Sequence, residues 1–153
     1  WTRSTRVPMI VVPPKRMKDT PRGVRCDRAV ELLDVYPTLV HAARLKPIPA
    51  DAKLDGLSLL PWIADPKAAK ERPAITTIYA HNHSIVDDQY RYTRYADGSE
   101  ELYDRQADPH EFDNLIAKAK EDQKLAAVVK RLAAHIPSYE AGKPDLVDDR
   151  LKK

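Results

Sequence analysis

Asp97-Gly98, set between two runs rich in Tyr, Thr and Leu, constrains the fold of this chain more than any other pair of residues. An Asp-Gly pair readily supplies the two positive-φ residues of a type I′ turn, so the stretch from Gln89 to Leu115 is expected to begin as a β-hairpin. A two-residue turn would set Arg94 opposite Glu101, Arg91 opposite Asp104 and Tyr92 opposite Tyr103. Two of these pairs join opposite charges and the third is aromatic on aromatic, each contributing roughly 0.2–1 kcal/mol. A slip by one residue would put Arg94 against Glu100, Arg91 against Tyr103 and Tyr92 against Leu102, with loss of a charge pair. Turn and side chains therefore argue for the same register.

Other strands fall around the hairpin. Ala74 to Tyr79, AITTIY, carries β-branched residues in a compact run and reads as a first strand, and Ser84 to Val86 as a short second one. With the hairpin this makes an antiparallel sheet of about four strands, which needs one face covered. Leu125, Val128, Val129, Leu132 and Ile136 form an apolar stripe at helical spacing on a predicted helix from Ala119 to Ile136, stopped by Pro137. The polar tail from Ser138 to Lys153 is expected to wrap or fray.

The first part of the chain reads differently. Val7 to Val12, VPMIVV, closed by Pro13-Pro14, has the text of a strand buried on both faces, which needs neighbouring strands that are scarce here. Lys15 to Arg28 is basic and broken by Pro21 and Gly23, an exposed loop in which Arg22, Arg25 and Arg28 are solvated charges or line an anion's path. After the apolar Ala29 to Leu33, Asp34 reads as an N-cap with Pro37 in the first turn, and Leu39, Val40 and Ala43 carry one face of a helix ending near Arg44. Leu45 to Ala52 reads as a linker, and Asp55 to Pro61 as a short helical turn.

Composition narrows the function. At 153 residues the chain suits one domain of ordinary size, and 13 prolines leave little room for long helix. A net charge of +3, with acids interspersed among the bases, argues against nucleic-acid binding. One cysteine excludes an internal disulfide and a cysteine-based zinc site. No apolar run approaches the ~20 residues of a membrane span. A chain opening on Trp1 without initiator Met or signal-peptide layout reads as a fragment or a processed piece.

Arg91-Tyr92-Thr93-Arg94-Tyr95, Asp97-Gly98, Glu101-Leu102-Tyr103-Asp104, Asp108-Pro109, Glu111 and Asn114-Leu115 together resemble the C-terminal subdomain of the sulfatases, especially the iduronate-2-sulfatase-like and bacterial polysaccharide sulfatase branch. Thr5 to Ile10, Val30 to Leu39 and Asp55 to Pro61 resemble that family's "T-R-V-P-L-I", "V-x-L-x-D-x-x-P-T-L" and "D-G-x-S-L-L-P" elements. The resemblance implies an α+β chain: residues 1–45 as the last strand and helix of an alkaline-phosphatase-like α/β catalytic domain, 46–72 as linker and short helix, and 73–153 as an antiparallel-sheet subdomain packed by a C-terminal helix. It further implies a parent that hydrolyses a sulfate ester, with a sulfated carbohydrate and the remainder of the catalytic domain as partners, in a periplasmic or secreted setting.

The same resemblance implies calcium and a formylglycine made from a Cys in C-x-P-x-R or C-x-A-x-R. Cys26 is followed by Asp27-Arg28-Ala29-Val30 and lacks that pattern, and the family's last catalytic Lys lies upstream of the text matching Trp1. No catalytic residue is carried over, and the chain alone is expected to be inactive and to bind neither cofactor.

His81-Asn82-His83 is the candidate substrate-binding constellation. The family's "N-H-x-V-R" segment lies on the substrate-access side, and here Ile85 and Val86 fill its V and R positions, so the Arg is missing. Read from the residues alone, His81 and His83 would share one side of a strand and offer two metal ligands, with Asp87 or Asp88 adding oxygen, or they are exposed imidazoles at a polar strand end. His41 and His135 read as packing or surface residues. The rival functions are a carbohydrate-binding module that presents Tyr90, Tyr92 and Tyr95 for stacking, and a small metal protein using His81 and His83.

Overall fold

The computed structural model describes residues 5–46, 54–67 and 72–138. Most of the expected linker and the tail beyond Ser138 lie outside these residues. The chain divides into two compact units, Trp1–Ala74 and Ile75–Lys153.

In the first unit, a 3-10 turn at Leu32–Asp34 runs into helix α1, Val35–Ala42, and a second short helix, α2, spans Leu60–Ala64. Asp34 stands at the N-cap of α1 but its carboxylate makes no cap bond to that helix, because the preceding turn already holds its backbone in the helical region. Instead Asp34, fully buried, accepts from the Glu31 N–H at 2.9 Å, the Leu57 N–H at 2.8 Å and the Arg72 guanidinium at 2.5 Å. Thr38 continues the join: its hydroxyl donates to the Asp34 carbonyl at 2.6 Å and accepts from the Leu59 N–H at 2.7 Å. Two polar side chains thus stitch the Asp55–Leu59 segment onto α1, and α1 ends at Ala42, where Arg44 adopts φ 53°.

Val7 to Val12 does not form the expected strand. It runs as irregular chain with Ile10 86% and Val12 78% exposed. A strand buried on both faces exists only between partners, and none flanks this segment among the described residues. Together with Val24, Trp62 and Ile63 it borders an open, mostly apolar groove of about 550 Å³. So exposed an apolar run promotes association. The purified 153-residue chain should sediment as concentration-dependent oligomers, and Ile10→Lys with Val12→Lys should shift it toward monomer. A monomer at every concentration would contradict this.

The second unit is built on a four-stranded antiparallel sheet, β1 Ala74–Thr77, β2 His83–Val86, β3 Tyr90–Arg94 and β4 Glu100–Asp104, in that spatial order. Helix α3, Gln123–Ala133, covers one face. It is shorter than the apolar stripe suggests, because Asp122 caps it, accepting from the N–H groups of Lys124 and Leu125, while Lys118–Lys120 forms a separate 3-10 turn. The stripe packs as expected: Leu125, Val128, Val129, Leu132 and Ile136 meet Ile85, Tyr92 and Leu102.

The hairpin forms in the register that the charge pairs disfavoured. Tyr92 faces Leu102, Arg91 faces Tyr103 and Arg94 faces Glu100. Gly98 N–H donates to the Tyr95 carbonyl at 3.0 Å and Tyr95 N–H to the Ser99 carbonyl at 2.9 Å, and only Gly98, at φ 84°, is left-handed. This is a three-residue loop with a bulge at Gly98, not a two-residue type I′ turn. Asp97 accepts from the Ser99 N–H and hydroxyl instead of taking a positive φ. The alternative register would turn Leu102 away from α3 and bring Tyr103 inward. Burying a Leu contributes roughly 1.5–3 kcal/mol, more than a cross-strand pair at 0.2–1 kcal/mol, so the core decides the register.

On the sheet's other face, Arg91 and Glu111 form a buried ion pair, Nε to Oε1 at 2.7 Å, with both side chains 3% exposed. Arg91 also donates to Ser84 Oγ at 2.9 Å. The loop that delivers Glu111 is wound by Asp108, whose carboxylate accepts from the N–H groups of His110, Phe112 and Asp113. Those bonds favour the charged carboxylate and hold the Asp108 pKa below its ordinary value, against a smaller contribution from burial. Glu111 sits at φ 58°, a left-handed backbone that aims its carboxylate back at the sheet.

Candidate functional site

The connection between β1 and β2 is short, and it carries two non-glycine residues in the left-handed region, Tyr79 at φ 57° and His81 at φ 66°. It closes through the Ile78 N–H, which donates to the Asn82 carbonyl at 3.0 Å. Asn82 holds it from the inside: its Nδ2 donates to the Ala80 carbonyl at 2.9 Å and its Oδ1 accepts from the Ala96 N–H at 3.2 Å. That second bond ties the β1–β2 turn to the β3–β4 loop. Asn82 is thus a positioning residue for the two histidines beside it.

His83 begins β2, half-buried, with Nδ1 3.0 Å from Thr77 Oγ1 on β1. Burial first, and then the neighbouring Arg94 guanidinium, lower its pKa and favour the neutral ring. Arg94, on β3, is its cross-strand partner. His81 lies in the turn, ahead of the strand, so the expected alternation that would put both imidazoles on one side of β2 does not occur. Strand geometry alone cannot make these histidines a ligand pair.

Neither aspartate completes such a site. Asp87 is buried and accepts from the Gln89 N–H at 2.8 Å, the Tyr90 N–H and the Arg131 guanidinium at 2.6 Å, so it pins the β2–β3 turn and α3. Asp88 is also partnered. Among the described residues no group of three or more His, Cys, Asp or Glu could hold a metal ion. Calcium therefore finds no donor set there, and exposed Cys26 lacks the text for formylglycine.

The stacking surface imagined from the tyrosines is also absent. Tyr92 is wholly buried and its hydroxyl donates to Glu100, while Tyr90 packs against the core beneath α3. Tyr95 is half-buried, with its pKa pushed up to about 12, first by burial and then by a hydrogen bond to Glu101. In the first unit, Arg22 donates to the Pro13 carbonyl at 2.9 Å and Arg25 pairs with Asp27 at 2.6 Å, so these bases serve their own loop. Arg28 is partnered as well. His41, 2.9 Å from Ser58 Oγ, and His135 are exposed.

Arg94 faces Glu100 in this register, not Glu101 as the two-residue turn predicts. Its guanidinium makes no hydrogen bond or ion pair among the described residues, and Glu100, directly opposite, is engaged by the Tyr92 hydroxyl.

A sequence family described as N-sulphoglucosamine sulphohydrolase, C-terminal, matches residues 1–138. A sulfatase of Formosa agariphila is 34% identical over 128 residues, covering 84% of this chain and 24% of that protein. Arylsulfatase K of Gallus gallus is 30% identical over 150 residues, covering 88% and 26%. In fold, a solved protein of Bacteroides thetaiotaomicron designated a sulfatase matches with TM-score 0.52 and 27% identity over 66% of this chain and 22% of its own. Phosphonate monoester hydrolase of Agrobacterium radiobacter, at TM-score 0.50 and 22% identity, covers 66% and 23% and shares the fold. Sheet, helix and matching sequence together define a sulfatase C-terminal region, with neighbours of the alkaline-phosphatase-like fold. The chain belongs to the N-sulphoglucosamine sulphohydrolase C-terminal family. It spans about a quarter of the length of the curated relatives it matches.

Proposed function

We propose that this chain completes a sulfuric ester hydrolase acting on a sulfated carbohydrate, of the iduronate-2-sulfatase-like and bacterial polysaccharide branch. The observation that carries this is the family match over residues 1–138. Residues 1–45 are then the end of the catalytic α/β domain, 46–72 a linker and short helix, and 73–153 the sheet subdomain. The remainder of the catalytic domain is the partner, and its residues carry the formylglycine and calcium.

Within this chain, His81, Asn82 and His83 are the proposed substrate-binding residues. Asn82 supports the turn, and the rings beside it meet the carbohydrate. The experiment is sulfate release by the full-length protein, followed by ion chromatography, from an aryl sulfate and from a panel of sulfated oligosaccharides. Release from both is expected; no release from any substrate overturns the reading.

A further inference from the structure

We propose that Arg94 and His83 form a second anion subsite, which holds a sulfate or carboxylate of the carbohydrate other than the sulfate being hydrolysed. The inference rests on the sulfatase reading above.

Four observations converge on it. Register places His83 and Arg94 directly across from one another at the end of the sheet where the β1–β2 turn and the β3–β4 loop meet. Arg94 is exposed, and its guanidinium has no hydrogen bond or ion pair among the described residues. The nearest cross-strand acid, Glu100, accepts from the buried Tyr92 hydroxyl and makes no ion pair with Arg94 among the described residues. Finally, both turns are locked: Asn82 joins them through the Ala96 N–H, and Thr77 fixes the His83 ring.

The chemistry that fits this arrangement is an oxyanion. A guanidinium presents a planar fork of N–H donors that matches the oxygens of a sulfate or carboxylate. When the Thr77 hydroxyl donates to Nδ1, the neutral His83 ring carries its proton on Nε2 and offers one further donor. The His83 ring, held by Thr77, loses little freedom on binding, while the exposed Arg94 side chain is ordered by the anion. A neutral sugar gains nothing from the guanidinium, so the subsite selects charged residues of the polymer.

The test uses the full-length protein and three disaccharide probes that all lack the scissile sulfate: one with a sulfate at the neighbouring position, its desulfated uronate counterpart, and the carboxyl-reduced neutral form. Isothermal titration should show the wild type preferring an anionic probe over the neutral one by roughly tenfold or more, the scale of a charge-assisted hydrogen bond. Arg94→Gln should bring that ratio close to one, and Arg94→Lys should retain part of it. Whichever anionic probe shows the larger loss identifies the source of the oxyanion. The proposal is overturned if the wild type shows no preference, or if Arg94→Gln keeps it, in a protein that releases sulfate from an aryl sulfate. Absence of sulfate release instead removes the sulfatase reading itself. Arg94 is exposed and outside the core, so its variants should unfold at the wild-type temperature.

Discussion

Glu111→Ala is expected to destabilise the second unit by about 3–5 kcal/mol, the usual consequence of removing one partner from a buried ion pair. The loss is not the strength of the contact alone. It takes from the Arg91 guanidinium, whose side chain is 3% exposed, its carboxylate partner at 2.7 Å. Arg105, whose Nε lies 4.0 Å from Glu111 Oε1, loses the same acid. The backbone adds to the effect, since a residue other than glycine at φ 58° is held there only by contacts such as this pair.

Glu111→Gln should cost less, because an amide oxygen still accepts from Nε. Arg91→Met with Glu111→Leu should recover part of the loss, since neither charge of the pair is then left buried, while Arg105 still lacks its acid and position 111 stays left-handed. Urea unfolding followed by tyrosine fluorescence measures all three. A Glu111→Ala midpoint equal to wild type would show that the pair is solvated and contributes little.

Gly56→Ala is the second large effect, at roughly 3 kcal/mol, the upper end of ordinary overpacking. A Cβ at this position would lie 2.0 Å from the Leu33 carbonyl oxygen and 2.5 Å from its carbon. Both atoms belong to backbone at the entrance of α1, so neither can swing aside. Relief requires moving the Asp55–Leu59 segment, which lengthens the Leu57 N–H bond to Asp34 and the Leu59 N–H bond to Thr38. Fully buried Asp34 would then accept from fewer donors.

Gly98→Ala provides the contrast. Nothing lies within 4 Å of a Cβ there, and its cost, about 1 kcal/mol, comes from φ 84° alone. A calorimetric melting temperature for Gly56→Ala no lower than that for Gly98→Ala would contradict the close approach. Space and backbone conformation are separate reasons for glycine, and these two residues divide them.

The sheet and helix of the second unit could be read from sequence because β-branched runs and a helical-period stripe are local signals, as at Ile75 and Leu132. Register could not, because it is fixed by which face Leu102 buries, and a ranking of cross-strand charge pairs contains no term for the helix on the other side. Val7 to Val12 misled for a related reason. Its composition describes a strand between partners, while a strand's ladder is not written in its own residues. Asp34 occupies the expected N-cap position, but a carboxylate three residues after Glu31 can serve the preceding turn equally well, and there it also reaches Leu57 and Arg72. At the candidate site the motif pointed to Asn82 and His83, which lie in the β1–β2 turn and at the start of β2. What sequence could not supply was the left-handed His81, which breaks the alternation, or Arg94, which becomes visible only when register sets it beside His83.

The most direct measurement is inorganic sulfate released from an aryl sulfate by the purified 153-residue chain, assayed beside the full-length protein at equal molar concentration. Release by the full-length protein and none by the chain is expected. Turnover by the chain alone, abolished by Cys26→Ser or His83→Ala, would place the chemistry among these residues and contradict it.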